Sequence, residues 1–188
     1  LLSEGDVAKE SQHKKRLFFI GPMGPPKTDL HARFQFIAEH LVKEAGKDCG
    51  YEVTFPPLKA PVVLDVQLIE CLANADLVVA DVTDNHVNVF YELGLCHALG
   101  KPTIQIAEER TRFPFYIDKV NTLSIPPWNT FRNTRMLRGT DTLEKLKGQL
   151  ATKIRLIEDS PAAPNNAVHV YRIMQQSKAV LPSSADVG

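Results

Sequence analysis

Apolar residues along this chain fall alternately into short continuous runs and into stripes with helical spacing. Arg16–Ile20 (RLFFI) is a short apolar run closed by Gly21-Pro22, the pattern of a buried strand entering a loop. Thr28 or Asp29 can cap a helix that runs to about Ala45, with Phe34, Ile37, Leu41 and Ala45 on one face. Gly46 and Gly50 punctuate, and Tyr51–Phe55 (YEVTF) alternates as a second strand that Pro56-Pro57 stops. Val62–Asn74 is an amphipathic helix, with Val62, Val66, Ile69 and Ala73 in line. The run Asp76–Val82 (DLVVADV) is almost continuously apolar, as a central parallel strand buried on both faces requires. After the polar loop 83–88 (TDNHVN), Asn85 or Asn88 can cap a helix ending near Leu99, where Gly100 stops it. Pro102–Ala107 (PTIQIA) and Leu123–Ile125 are two further strands. Asp141–Ile157 is a last amphipathic helix, with Leu143, Leu146, Leu150 and Ile154 as its seam.

Strands alternating with helices predict an α/β fold, because parallel neighbours need crossover helices. The expected architecture is a flavodoxin/Rossmann-like parallel sheet of about five strands with helices on both faces. Residues 1–15 read as a polar, poorly ordered leader and 16–158 as the α/β domain. The tail 159–188 has Pro, Ser and Ala clusters around Val168–Met174, and is expected to be mobile or to dock on a neighbouring subunit. No internal repeat is visible.

Composition narrows the function. Lys+Arg and Asp+Glu both total 22, so there is no basic excess to hold a polyanion, and nucleic acid is disfavoured as a partner. Cys49, Cys71 and Cys96 are odd in number and lack metal-ligand spacing, which suits reduced thiols in a cytoplasmic compartment. No apolar run approaches a membrane span. His86 and His97 show no ligand spacing with cysteines or carboxylates, so no metal is expected.

In open parallel sheets, ligands bind beyond the carboxyl ends of the strands, near the point where strand order reverses. Three loops converge there: Gly21–Asp29, Asp81–Asn88 and Glu108–Phe115. Gly21, Pro22, Met23 and Gly24 match neither the dinucleotide fingerprint nor a phosphate-binding Walker loop, and no cofactor is implied. Such a loop can bring N–H groups close to a sugar or phosphate, and is equally a plain tight turn. Arg110, Arg112 and Lys27 could bind a phosphate, although solvated surface cations are the commoner role. Glu92 is expected one turn into the helix after the Asp81 loop, where the helix dipole favours its ionised form. An ionised carboxylate beside a cleft suits attack on an anomeric carbon. An acid in an early helical turn is also commonly just a solvated partner of the dipole. Asp81 and Asp84 are similarly ambiguous, as acids at strand ends often only accept loop hydrogen bonds.

Taken together, several segments resemble the nucleoside 2-deoxyribosyltransferase-like superfamily, which is related in fold to TIR domains. They are Phe18-Phe19-Ile20-Gly21-Pro22, Ala75–Asp84 (ADLVVADVTD), Asn88–Gly94 (NVFYELG), His97–Pro102 (HALGKP) and Phe113-Pro-Phe115, within about residues 16–125. The resemblance implies cleavage or transfer of the N-glycosidic bond of a nucleoside or nucleotide, with Glu92 as nucleophile. It also implies an acid on the helix before the third strand that handles the leaving base, for which Asp65 is the nearest carboxylate, with Asp81 or water as other proton sources. A sugar-contacting acid six positions before the nucleophile is replaced here by His86, a departure from strict deoxyribosyl transfer. Thr83, Asp84, His86, Asn88 and the Gly21 loop are the candidate substrate contacts. A homo-oligomer is also implied. Two other readings stay open: a TIR-like NAD hydrolase using the same glutamate, and a non-catalytic nucleotide-binding sensor.

Overall fold

The computed structural model describes residues 14–56, 66–113, 122–132, 141–160 and 166–179. Its strands are β1 (Arg16–Ile20), β2 (Glu52–Thr54), β3 (Leu77–Asp81), β4 (Thr103–Glu108) and β5 (Thr122–Ile125). They form one sheet in the order β2-β1-β3-β4-β5, and every neighbouring pair is parallel. The expected α/β architecture is therefore present, in the flavodoxin-like order, which reverses at β1 and β3.

Side chains alternate along each strand, so the sheet divides its apolar residues between two cores. Leu17, Phe19, Leu77, Val79, Ile104, Ile106, Leu123 and Ile125 face one layer. That layer is built from α1 (Asp29–Phe36), a π-helical turn (Ile37–Val42), α2 (Lys43–Asp48) and α6 (Asp141–Asp159). Phe18, Ile20, Val78, Ala80, Val82 and Ala107 face the other layer, formed by α3 (Val66–Asn74) and α4 (Val87–Ala98). Two helices complete the described fold, α5 (Trp128–Arg132) and α7 (Ala167–Ala179).

Several boundaries differ from the expectations, each for a local reason. Gly46 does not end a helix. It lies inside α2 where the helix crosses β2, and a Cβ there would sit 2.4 Å from Val53 Cγ2. The helix ends instead at Cys49-Gly50, where Gly50 takes φ +79° and its N–H donates to the Lys47 carbonyl. Helix α4 is entered through His86 rather than capped by Asn85 or Asn88. Asn85 has a left-handed backbone, and its Nδ2 donates to the Arg112 carbonyl at 2.8 Å. Within the tail, α7 packs against α4 of the same chain, and Arg172 Nη2 donates to the Ala98 carbonyl at the end of α4. Residues 1–13, Asp65, the 62–65 start expected for the helix before β3, and Phe115 lie outside the described residues.

The Gly46 crossing sets two effects against each other. Alanine is favoured over glycine inside a helix by about 1 kcal/mol, while overpacking costs roughly 1–3 kcal/mol. Because the contact is with the stiff β-branched Val53, Gly46→Ala is expected to lower unfolding stability by about 1–2 kcal/mol in urea titrations. Adding Val53→Ala should return part of that loss relative to Val53→Ala alone, and equal effects in both backgrounds would refute the crossing.

Candidate active site

One buried cation organises the carboxyl edge of the sheet. Arg33, on α1, is 4% exposed, and Asp81, the last residue of β3, is fully buried. The guanidinium grips Asp81 with both ends, Nη1 to Oδ2 at 2.5 Å and Nη2 to Oδ1 at 3.1 Å. Arg33 Nη2 also donates to Thr83 Oγ1 at 2.7 Å, and Nε donates to Glu108 Oε1 at 2.8 Å. The Thr83 N–H returns to Asp81 Oδ1, the Glu108 N–H donates to Thr83 Oγ1, and the Trp128 N–H donates to Glu108 Oε1. Burial alone would lower the Arg33 pKa, but the charges and hydrogen bonds of Asp81 and Glu108 outweigh it and raise the pKa above its ordinary value. This planar, bidentate geometry is one that arginine meets and lysine does not.

The loop residues singled out by the sequence are placed as follows. Gly21 is hemmed in by Phe19, Phe34 and Asp81, each within 3.3 Å of where a Cβ would stand. The space beside Gly24 is taken by Thr28 and Leu30. Pro22 is buried, and Met23 packs against the α1-side core. Thr28 caps α1, its Oγ1 accepting from the His31 N–H and donating to the Pro25 carbonyl. The glycines of this loop are thus accounted for by tight packing. Thr83 is buried in the arginine cluster, Asp84 and Asn88 are exposed, and His86 is half-buried at the entrance to α4.

Glu92 is the sixth residue of α4, one turn into the helix. At about 1.5 Å of rise per residue it lies roughly 7–8 Å along the axis, beyond the main reach of the dipole. It follows Val89 by three positions and precedes Cys96 by four, so it borders the stripe that α4 turns towards the sheet. Its carboxyl is half-buried, with no hydrogen bond or cation among the described residues. Burial pushes its pKa up to about 7. One turn further on, burial and then the charge of Glu92 push the Cys96 thiol up to about 12, which leaves that sulfur unreactive. His97 is shifted down by burial.

Other participants carried no sequence signal. Arg33 is a polar position inside an apolar helical stripe, and its partner Glu108 closes a strand like many surface acids. Near the mouth of α4, Asn85 Oδ1, His86 Nδ1 and Thr111 Oγ1 are buried without a hydrogen-bond partner. The Asn85–Arg112 hydrogen bond ties the loop after β3 to the loop after β4, and so brings these three residues to one region. Among the described residues, no group of three His, Cys, Asp or Glu side chains is placed to hold a metal ion. No described helix is long and apolar enough to cross a membrane.

No family model and no curated protein matches the chain. Among solved structures it is similar to the CMP N-glycosidase BcmB of Clostridium botulinum, with 16% identity and a TM-score of 0.44 over 70% of this chain and 98% of that one. It is also similar to a 2-deoxyribosyltransferase from Leishmania mexicana, at 19% identity and a TM-score of 0.40 over 50% of this chain and 64% of that one. A third similarity is to the TIR domains of an activated resistosome that recognises a pathogen effector, at 9% identity and a TM-score of 0.34 over 89% and 99%. At such identities and scores these similarities assign no activity, and the chemistry has to come from the residues themselves.

Two measurements test the electrostatics without any substrate. Arg33→Met leaves Asp81 and Glu108 without their cation and is expected to cost about 3–5 kcal/mol in urea unfolding. Asp81→Asn keeps the shape and leaves the cation paired with Glu108, so it should cost less. Glu92→Gln should do the reverse and stabilise the fold at high pH. Below about pH 4.5, the ordinary value, the carboxyl is protonated in both the folded and unfolded chain, and the two proteins should be equally stable. As pH rises through about 7 the unfolded chain ionises more readily, so the wild type loses stability relative to Glu92→Gln. A difference that shrinks as pH rises would contradict the buried, unpaired carboxyl.

Proposed function

We propose that this protein cleaves or transfers the N-glycosidic bond of a nucleoside or nucleotide, with Glu92 as the nucleophile. One observation carries the reading. Among the described acids around this edge, Asp81 and Glu108 are ion-paired with Arg33, and Asp84 and Glu109 are exposed. Glu92 alone combines partial burial, no cation and a pKa of about 7. A carboxyl kept near neutrality by its surroundings is poised for covalent or acid–base work, whereas a paired one serves structure.

In the proposed reaction the ionised Glu92 attacks the anomeric carbon while the C1′–N bond breaks. The bonding pair leaves with the base, which takes a proton from water or a nearby acid. Water, or a second base, then attacks the glycosyl ester and restores the Glu92 carboxylate. Asp65 remains the proposed acid for the leaving base. In this scheme Asp81 and Thr83 are positioning residues, since the arginine cluster uses their polar atoms. The unpartnered atoms of Asn85, His86 and Thr111 supply polar contacts for the substrate beside Asn88 and the Gly21 loop.

Incubation with a panel of nucleosides, nucleoside monophosphates and NAD, read by mass spectrometry for free base or nicotinamide, tests this directly. Base release is expected from wild type and its loss, by about 10³-fold or more, from Glu92→Gln. Because attack needs the ionised form, kcat/KM should fall about tenfold per pH unit well below pH 7 and level off above it. Near-normal turnover by Glu92→Gln would sink the assignment.

A further inference from the structure

A cavity lies on the opposite side of the sheet from α4. It has a volume of about 370 Å³, and its walls include Phe34, Phe36, His40, Phe55 and Trp128. That is within the range of small-molecule sites. The rings in its walls form two groups. Phe36 and Trp128 have centroids 5.8 Å apart, Phe36 and His40 4.9 Å, and Phe34 and Phe55 6.3 Å in a T-shaped pair. Phe36, Phe55 and Trp128 pack on the core without being buried in it, so they leave aromatic surface towards the cavity.

Two further observations set this cavity apart from an ordinary surface groove. Part of its wall, at Ala38–His40, belongs to the π-helical turn, a local widening of the helix that recurs at functional sites. Trp128 Nε1 is a buried donor with no acceptor, and buried indole N–H groups ordinarily have one. A ring that stacks on these walls and carries a hydrogen-bond acceptor at its edge would satisfy both features. A purely aliphatic occupant would leave the N–H unsatisfied.

We propose that this cavity is a ligand site, separate from Glu92, for a small planar heteroaromatic ring that stacks on Phe36 and accepts a hydrogen bond from Trp128 Nε1. A small tilt of the indole, within the side-chain adjustments usual on binding, turns the N–H towards the ligand. The cavity and the arginine cluster share stretches of backbone. Arg33 lies between Ala32 and Phe34, both in the wall, and the Trp128 backbone N–H and Arg33 Nε share Glu108 Oε1.

Trp128 is the single tryptophan of the chain, so its fluorescence reports on the site directly. Titration of the full chain with cytosine, adenine and nicotinamide, excited at the red edge of indole absorption, should give a saturable change with at least one of them. Phe36→Ala should weaken that binding roughly tenfold, as expected for loss of a stacking partner. Trp128→Phe, followed by calorimetry, keeps an aromatic ring but loses the donor, and should also weaken binding. Glu92→Gln should leave the fluorescence response intact. No saturable response to any of the three up to about 10 mM, or unchanged affinity in both Phe36→Ala and Trp128→Phe, would overturn the site. The measurement needs no turnover, so its failure and the failure of the Glu92 assignment are told apart.

Discussion

The carboxyl edge of this sheet depends on a charge that has been taken out of water. Moving a guanidinium and a carboxylate into a protein interior costs several kcal/mol per ion, and it is tolerated only where geometry and extra hydrogen bonds make up the difference. Arg33 meets that condition with two bonds to Asp81, one to Thr83 and one to Glu108. Much of the surrounding sequence follows from it. The last residue of β3 has to be acidic although the strand is otherwise apolar, and Thr83 has to present a hydroxyl two residues later. Gly21 has little room for a side chain, with Phe19 3.1 Å and Asp81 Cβ and Phe34 3.3 Å from where its Cβ would be. Arg33 joins α1 to the ends of β3 and β4, and Glu108 extends the network to the start of α5.

The same cluster defines what is available for chemistry. An arginine that engages two carboxylates removes both from the pool of reactive acids at this edge. The loop it fixes, with left-handed Asp84 and Asn85, then leads into α4. Glu92 therefore enters the sheet-facing stripe from a rigid platform, with no cation to neutralise it. The contrast between Asp81 and Glu92 is one of partners more than of burial. Both acids are withdrawn from solvent, one with a guanidinium and one without.

The fold was largely legible in the sequence, because burial on two faces leaves strong marks. The apolar run Leu77–Ala80 and the seam Leu143–Leu146–Leu150–Ile154 could be read by period alone. Boundaries failed where a tertiary contact overrode a local signal. Gly46 reads as punctuation, yet it is a crossing point against Val53. Asn85 reads as a cap, yet it spends its side chain on Arg112. At the site, Glu92 stood out through its frame of Tyr91, Leu93 and Gly94. It lies one turn into the helix, where the dipole already fades, and burial without a partner pushes its pKa up. Arg33, Glu108 and Trp128 could not be found from sequence, since each acquires its role from a residue at least 20 positions away.

The two layers over the sheet differ in what they leave unsatisfied. The α4 side withholds a cation from a half-buried carboxyl and partners from Asn85 Oδ1, His86 Nδ1 and Thr111 Oγ1. The α1 side withholds an acceptor from a buried indole and leaves aromatic faces around a cavity. Unsatisfied buried groups cost stability, and a fold selected for stability alone would pair them or replace them with apolar side chains. Here they cluster on either side of a network in which the polar atoms are closely matched. That arrangement fits a polar partition built on Arg33, with reactive and binding groups held open in the layers it separates.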